Sequence, residues 1–138
     1  MIPMKTILLC LGCLACTRPP SFVHLFDAIR AVESGGNPQP PDGDNGKAIG
    51  PYQIHYAYWK DATTFDKSIG GTYPNCSEKV YAEKIMWAYW QRYCPKELRI
   101  RDLEVLARVH NGGPKGKTKR ATDNYWKKVK GQLEKQKK

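Results

Sequence analysis

The sequence has few cysteines, few acids and no long apolar run, and each shortage excludes something. Its apolar run from Ile7 to Ala15 falls well short of the ~20 residues a membrane helix needs. Of five Cys, three (Cys10, Cys13, Cys16) lie in the first sixteen residues, leaving Cys76 and Cys94. Two thiols make no disulfide framework. The stretch between them reads as helical, and a continuous helix of that length parts its ends by roughly 27 Å. A disulfide needs Cα atoms within about 7 Å, so this pair is not expected to close. His24, His55 and His110 show no ligand spacing, so the chain is read as needing no metal and no cofactor. No internal repeat is visible.

Acids number 13 against 23 Lys and Arg, a formal charge of +10, or +9 once Lys5 leaves with residues 1–16. Such a balance favours anionic partners, whether nucleic acid, anionic membranes or bacterial wall polymers. The basic residues are spread along the chain and peak at its C-terminus, and nucleic-acid binding has only this charge behind it, with no fold or motif to add.

Lys5, the apolar run and the small residues that close it, followed by Thr17-Arg18-Pro19-Pro20, match a secretory leader over residues 1–16. Leu14-Ala15-Cys16 also fits a lipoprotein cut site. The expected organisation is that leader, one domain over 21–134 and a basic tail over 135–138, in an extracellular protein.

Within the domain, Ser21 is placed to cap a helix over 22–33 whose Phe22, Leu25, Phe26, Ile29 and Val32 form one stripe. Glu33 projects from the same stripe at the last turn, before Ser34-Gly35-Gly36. Apolar neighbours and a helix C-terminus both resist a negative charge there, which suits a proton donor. The loop Pro40-Pro41-Asp42-Gly43-Asp44-Asn45-Gly46 follows, with Asn45-Gly46 fit for a tight hairpin turn. A strand is expected over 48–54 and a short helix over 55–62. A loop over 65–74 follows, then a helix from the Asn75/Glu78 cap to Tyr93 with Val80, Tyr81, Ile85 and Ala88 inward, stopped by Pro95. Asp102 opens a shorter helix carrying Leu103, Leu106, Ala107 and His110. A basic loop over 115–120 leads to a last helix capped by Thr122. The sum is a mostly helical α+β domain with one small β element beside the carboxylates.

Glycoside cleavage needs a protonated acid for the leaving oxygen and an ionised carboxylate facing the anomeric carbon. Glu33 suits the first role, and Asp44 or Asp42, in a polar loop, the second. His110 on an apolar face reads as a hydrogen-bonded core histidine. Ser34 beside Glu33 reads equally as structural or reactive, and the two thiols have no local signature of a nucleophile.

Glu33-Ser34-Gly35, Asp44-x-Gly46, Gly50-Pro51-Tyr52-Gln53-Ile54, Tyr58-Trp59 and Tyr89-Trp90-Gln91-Arg92-Tyr93 resemble, in order and spacing, the invertebrate-type (destabilase-like) lysozymes. The likeness continues through Ala107-Arg108-Val109-His110-Asn111-Gly112-Gly113-Pro114-Lys115-Gly116 and Tyr125-Trp126-x-Lys128-Val129, covering roughly Leu25 to Lys130. It implies a lysozyme-like fold and hydrolysis of the β-1,4 bond between N-acetylmuramic acid and N-acetylglucosamine in peptidoglycan, with chitin-like oligosaccharides as a further substrate. Glu33 takes the place of the family's acid and Asp44, not Asp42, that of its second carboxylate. Tyr52, Gln53, Tyr58, His110 and Asn111, all inside the matching motifs, are the expected substrate-binding residues. The family is rich in disulfides, whereas here most of those positions hold other residues, so helix packing is expected to supply the stability. No residue set is assigned to the family's isopeptidase side activity. Glu33-Ser34-Gly35-Gly36-Asn37-Pro38 also resembles lytic transglycosylases, which work with one Glu. A third reading is a non-catalytic cationic wall-binding or membrane-disrupting factor.

Overall fold

The structure, a computed structural model, describes residues 21–138. The expected leader over 1–16, with Cys10, Cys13 and Cys16, lies outside the described residues. Six α-helices and a two-residue-per-strand hairpin follow in the order α1 (Phe22–Ser34), β1 (Ala48–Ile49), β2 (Ile54–His55), α2 (Tyr56–Phe65), α3 (Lys79–Tyr93), α4 (Pro95–Ile100), α5 (Leu103–Gly112) and α6 (Asp123–Lys135). Short 3-10 turns join several of them.

The apolar stripe of α1 forms as its spacing predicts. Leu25, Ala28 and Ile29 are buried, and Gly35 closes the helix in the left-handed conformation that lacks a Cβ penalty. α3 is the central helix. Ala82, Ile85, Met86, Ala88, Tyr89 and Trp90 are buried, while Val80, expected inward, is exposed. Trp90 sits at the middle of the core: Phe26 of α1 stacks on it at 5.4 Å between centroids, and its indole N–H donates to Leu106 O at 3.0 Å. A buried indole N–H without such a partner would carry a desolvation cost. Cys76 and Cys94 are buried free thiols, as their separation predicts. Burial pushes them up to about 12 and about 11 respectively, so neither is an activated nucleophile.

Several expected boundaries shift for local reasons. The single strand over 48–54 is split by a turn at Gly50-Pro51-Tyr52-Gln53, leaving an antiparallel pair in which Ala48 faces His55 and Ile49 faces Ile54. Gly50 forces this break. It has φ 76°, and a Cβ there would lie 2.0 Å from the Cys76 carbonyl oxygen, so the chain must turn where only glycine fits. Asn75 caps a 3-10 turn with Thr72 rather than α3, which starts at Lys79. α3 ends at Tyr93, just before Cys94-Pro95 as expected, and the fixed φ of Pro95 also suits a first helical position, so α4 begins there. The loop over 65–74 and the basic loop over 115–120 both contain 3-10 turns. Asp102 does cap α5, accepting from Val105 N at 3.1 Å.

Thr122 precedes α6 but makes no side-chain cap to it. Its hydroxyl instead faces the Gly116 and Lys119 carbonyls and accepts from Arg108 Nε at 2.8 Å. Arg108 also reaches Asp123 at 2.6 Å and Glu104 at 3.1 Å. This knot fixes the start of α6 against α5. Gly116 lets it close, since a Cβ there would meet the Arg108 carbonyl oxygen at 2.2 Å. The consequence appears one helical turn on, at Tyr125.

Candidate active site

Glu33 stands near the end of α1 as a mostly covered carboxylate, its side chain 19% exposed. The buried stripe leads up to it, but the carboxylate itself meets polar donors. Tyr125 of α6 donates its hydroxyl to Glu33 Oε1 at 2.9 Å. His110 Nε2 of α5 lies 3.5 Å from the same oxygen. The other oxygen, Oε2, has no hydrogen bond among the described residues.

The proton on His110 can be placed from its partners. Nε2 lies 3.1 Å from the backbone carbonyl of Tyr52, which only accepts, so Nε2 carries the hydrogen. Nδ1 lies 3.1 Å from the Tyr58 hydroxyl, which can donate to it. Burial holds the Tyr58 and Tyr125 hydroxyls protonated well above the usual phenol range, so both stay donors. One imidazole thus links three elements behind Glu33.

Asp44 comes from the opposite wall. Gly43 and Ala48 form an antiparallel bridge, and Gly46 N bonds back to Gly43 O at 3.0 Å. Asp44 and Asn45 both have positive φ, 49° and 55°, the sign a mirror-image hairpin turn requires at its two central positions. The tight turn falls on Asp44-Asn45, one residue earlier than the Asn45-Gly46 pair suggests. The Asp44 side chain is 60% exposed, and His55 of β2 lies beside it, with Nε2 at 3.5 Å from Oδ2.

Both carboxylates line one cleft of about 240 Å³, together with Ala48, Gln53, His55, His110 and Asn111. Asp42 does not. It lines a separate hollow with Pro38, Gln39 and Glu78, which separates the two aspartates that the loop composition left open. Gln53 sits in the cleft wall, its amide donating to Gly50 O at 3.0 Å and tying the turn together. Asn111 is exposed at the end of α5 and makes no side-chain hydrogen bond among the described residues, so its amide is available to a ligand.

Tyr52 and Tyr58 are placed differently from the substrate contacts expected of them. Tyr52 is fully buried, its hydroxyl donating to Glu83 Oε1 at 2.6 Å, and only its backbone carbonyl serves the site. Tyr58 stacks on Tyr89 at 3.8 Å and holds His110 from behind. Ser34 is structural: its hydroxyl faces Pro51 O at 2.9 Å and Arg30 O at 3.0 Å, pinning the end of α1 to the hairpin turn. His55 and Tyr125 were not read as site residues. Nothing in their spacing marks them, since each reaches its carboxylate only through the hairpin register or the Arg108 knot.

Residues 24–132 match the Destabilase family model. The chain belongs to the destabilase family. Among relatives in the family, Lysozyme 1 of Crassostrea virginica is 35% identical over 103 residues, which is 73% of this chain and 54% of that protein. Invertebrate-type lysozyme 6 of Caenorhabditis elegans is 34% identical over 91 residues, 61% of this chain and 66% of that one. The chain spans about half to two thirds of the length of the curated relatives it matches. In three dimensions it is similar to Tapes japonica lysozyme, with a TM-score of 0.61 and 29% identity over 77% of this chain and 85% of that one. It is also similar to a chain of the complex between Aeromonas hydrophila PliI and Meretrix lusoria lysozyme, with a TM-score of 0.62 and 27% identity over 78% and 87%. The fold is therefore lysozyme-like, α+β and mostly helical, with its one small sheet beside the cleft. Among the described residues no group of three or more His, Cys, Asp or Glu is placed to hold a metal, and no helix is long and apolar enough to cross a membrane.

Proposed function

We propose that the protein is a muramidase, acting in its domain over 21–134. It hydrolyses the β-1,4 bond between N-acetylmuramic acid and N-acetylglucosamine in bacterial peptidoglycan, outside the cell that makes it. The observation that carries this reading is that Glu33 and Asp44 line one cleft in unequal surroundings. Glycoside hydrolysis uses such inequality: one carboxyl protonates the leaving oxygen while the other stays ionised. The similarity to lysozymes of molluscs and a nematode supports the same substrate.

Glu33 is the acid. With Oε1 occupied by Tyr125 and faced by His110, the transferable proton sits on Oε2, the oxygen left without a partner among the described residues. Tyr125 and His110 act as positioning residues, holding the carboxyl plane rather than touching sugar. Asp44, exposed in its turn beside His55, faces the anomeric carbon as nucleophile or electrostatic stabiliser. In the retaining route its oxygen bonds that carbon as the glycosidic C–O bond breaks and Glu33 protonates the departing oxygen. Glu33, now a base, then draws a proton from the water that displaces Asp44. Asn111 and Gln53 offer amides to the N-acetyl and hydroxyl groups of the sugars.

The test is clearing of a Gram-positive wall suspension by wild type, Glu33→Gln and Asp44→Asn, with products read by mass spectrometry. Expected is a loss of about 10³-fold in Glu33→Gln, a loss of at least about 10²-fold in Asp44→Asn, and reducing muramic ends from wild type. Products ending in 1,6-anhydromuramic acid, with activity surviving Asp44→Asn, would make it a one-carboxylate transglycosylase instead. Undiminished clearing by Glu33→Gln would sink the enzymatic assignment.

A further inference from the structure

The charge of this protein is not distributed over its fold. Residues 21–114 carry eleven Lys and Arg against eleven Asp and Glu, a net of zero. Residues 115–138 carry ten Lys and Arg against Asp123 and Glu134, a net of +8. Asp123 is moreover engaged by Arg108 at 2.6 Å. The cleft-bearing body is therefore neutral, and within residues 21–138 the whole excess sits on one C-terminal segment.

The fold turns that segment outward. α6 packs against the body through Tyr125, Val129 and Leu133, an i, i+4, i+8 stripe, and its remaining circumference carries Lys127, Lys128, Lys130 and Lys135, all exposed. None of these four forms an ion pair among the described residues. Lys117 and Lys119 differ, the first lying 3.8 Å from Glu97 and the second donating to Gly112 O, so they have local work. A concentration of unpaired like charge repels itself, and a polyanion relieves that repulsion.

We infer that α6 and the basic tail form a docking surface for a phosphodiester polymer anchored in the bacterial cell wall. Two features choose that partner over other polyanions. First, the exposed large apolar residues, Val23, Tyr56, Phe65, Val80 and Ile100, all lie outside 115–138. The surface thus lacks the apolar face with which a cationic helix enters a bilayer, and its one ring that is not buried, Trp126, is half-buried against the core rather than free to stack on bases. Second, α6 is also the helix that delivers Tyr125 to Glu33, so a polymer bound along it lies beside the cleft and raises the local concentration of wall glycan. This second argument rests on the muramidase reading; the charge arrangement does not.

The experiment measures retention of the full protein on two wall preparations, one intact and one stripped of phosphodiester polymer by hydrofluoric acid. The variant carries Lys127→Gln, Lys128→Gln, Lys130→Gln and Lys135→Gln, exchanges that keep helix propensity. Wild type should be held on the intact wall at least about tenfold better than on the stripped wall, and the fourfold variant should lose that difference. Turnover of a short soluble wall oligosaccharide should stay within about twofold of wild type, since none of the four lysines lines the cleft. Raising salt should release wild type from the intact wall more steeply than from the stripped one, a reading that needs no variant. Equal retention on both walls, or an unchanged grip by the variant, overturns the inference. Stronger retention on phosphatidylglycerol vesicles, abolished in the variant, also overturns it and assigns the surface to membranes. Failure of the muramidase reading shows separately, as soluble-oligosaccharide turnover that survives Glu33→Gln.

Discussion

The two walls of the cleft are built by opposite means. Glu33 stands at the end of a long helix, on a stripe buried against the core, and its carboxyl is gripped from α5 and α6. Asp44 stands on a turn of left-handed residues, more than half exposed, with one histidine beside it. A helix end backed by packed aromatics holds a group still and partly dry, while a hairpin tip leaves its group open to solvent. The difference is a way to give two carboxyls of similar intrinsic acidity two separate roles.

The comparison breaks most severely if the hairpin is detached from the body. Gly50→Ala places a methyl on the Cys76 carbonyl and forces an L-residue to φ 76°. The expected loss is about 3 kcal/mol or more of stability, read as a fall in Tm of roughly 10 °C. If the variant melted like wild type, the hairpin turn would not be the anchor of the Asp44 wall.

The helical wall is sharpened next by Tyr125→Phe, which removes one donor and nothing else. Glu33 then keeps only the longer approach of His110, and kcat should fall about tenfold with KM nearly unchanged, because the lost contact positions the acid and touches no sugar. A rise in KM at constant kcat would instead place Tyr125 in substrate binding.

On the exposed wall, His55→Ala should cost only a few-fold in activity. Its 3.5 Å approach to Asp44 joins two solvent-exposed groups, and such pairs contribute little. A loss as large as that of Asp44→Asn would show that the exposed wall is clamped as tightly as the helical one.

What could be read in advance follows the same division. The Glu33 wall was legible because one element, α1, carries both the stripe and the carboxylate, and helical spacing alone puts them on one face. The free state of Cys76 and Cys94 was legible as a length argument, although the expected single helix is a 3-10 turn over Tyr73–Ser77 followed by α3. Tyr125 was not, because its contact spans 92 residues and depends on Gly116 meeting the Arg108 carbonyl before α6 can start. The split of the expected strand was missed because its cause, the Cys76 backbone packed against Gly50, lies 26 residues away in the sequence. Tyr52 and Tyr58 lie inside the motifs that carry the resemblance, but a motif does not show which way a side chain turns, and each is used inside, one on Glu83 and one on His110.

The smallest effect at neutral pH comes from the thiols beneath both walls. Cys76 lies under the hairpin turn and Cys94 at the end of α3, held by burial at about 12 and about 11 against an ordinary 9.0. Below pH 9 the folded and unfolded chains bind the same thiol protons, so stability there does not depend on either group. Above it the unfolded chain releases protons that the folded chain keeps, and stability falls with each step of pH until the folded thiols ionise near 11 and 12. The buried tyrosine hydroxyls, also raised by desolvation, add to the same slope at higher pH. Urea unfolding should therefore give a midpoint that is independent of thiol ionisation below pH 9 and declines above it. Cys76→Ala and Cys94→Ala should each flatten the alkaline decline at some cost in packing at neutral pH. Rapid alkylation of either thiol in the folded protein at pH 8 would contradict their burial and, with it, the dry core on which the Glu33 wall depends.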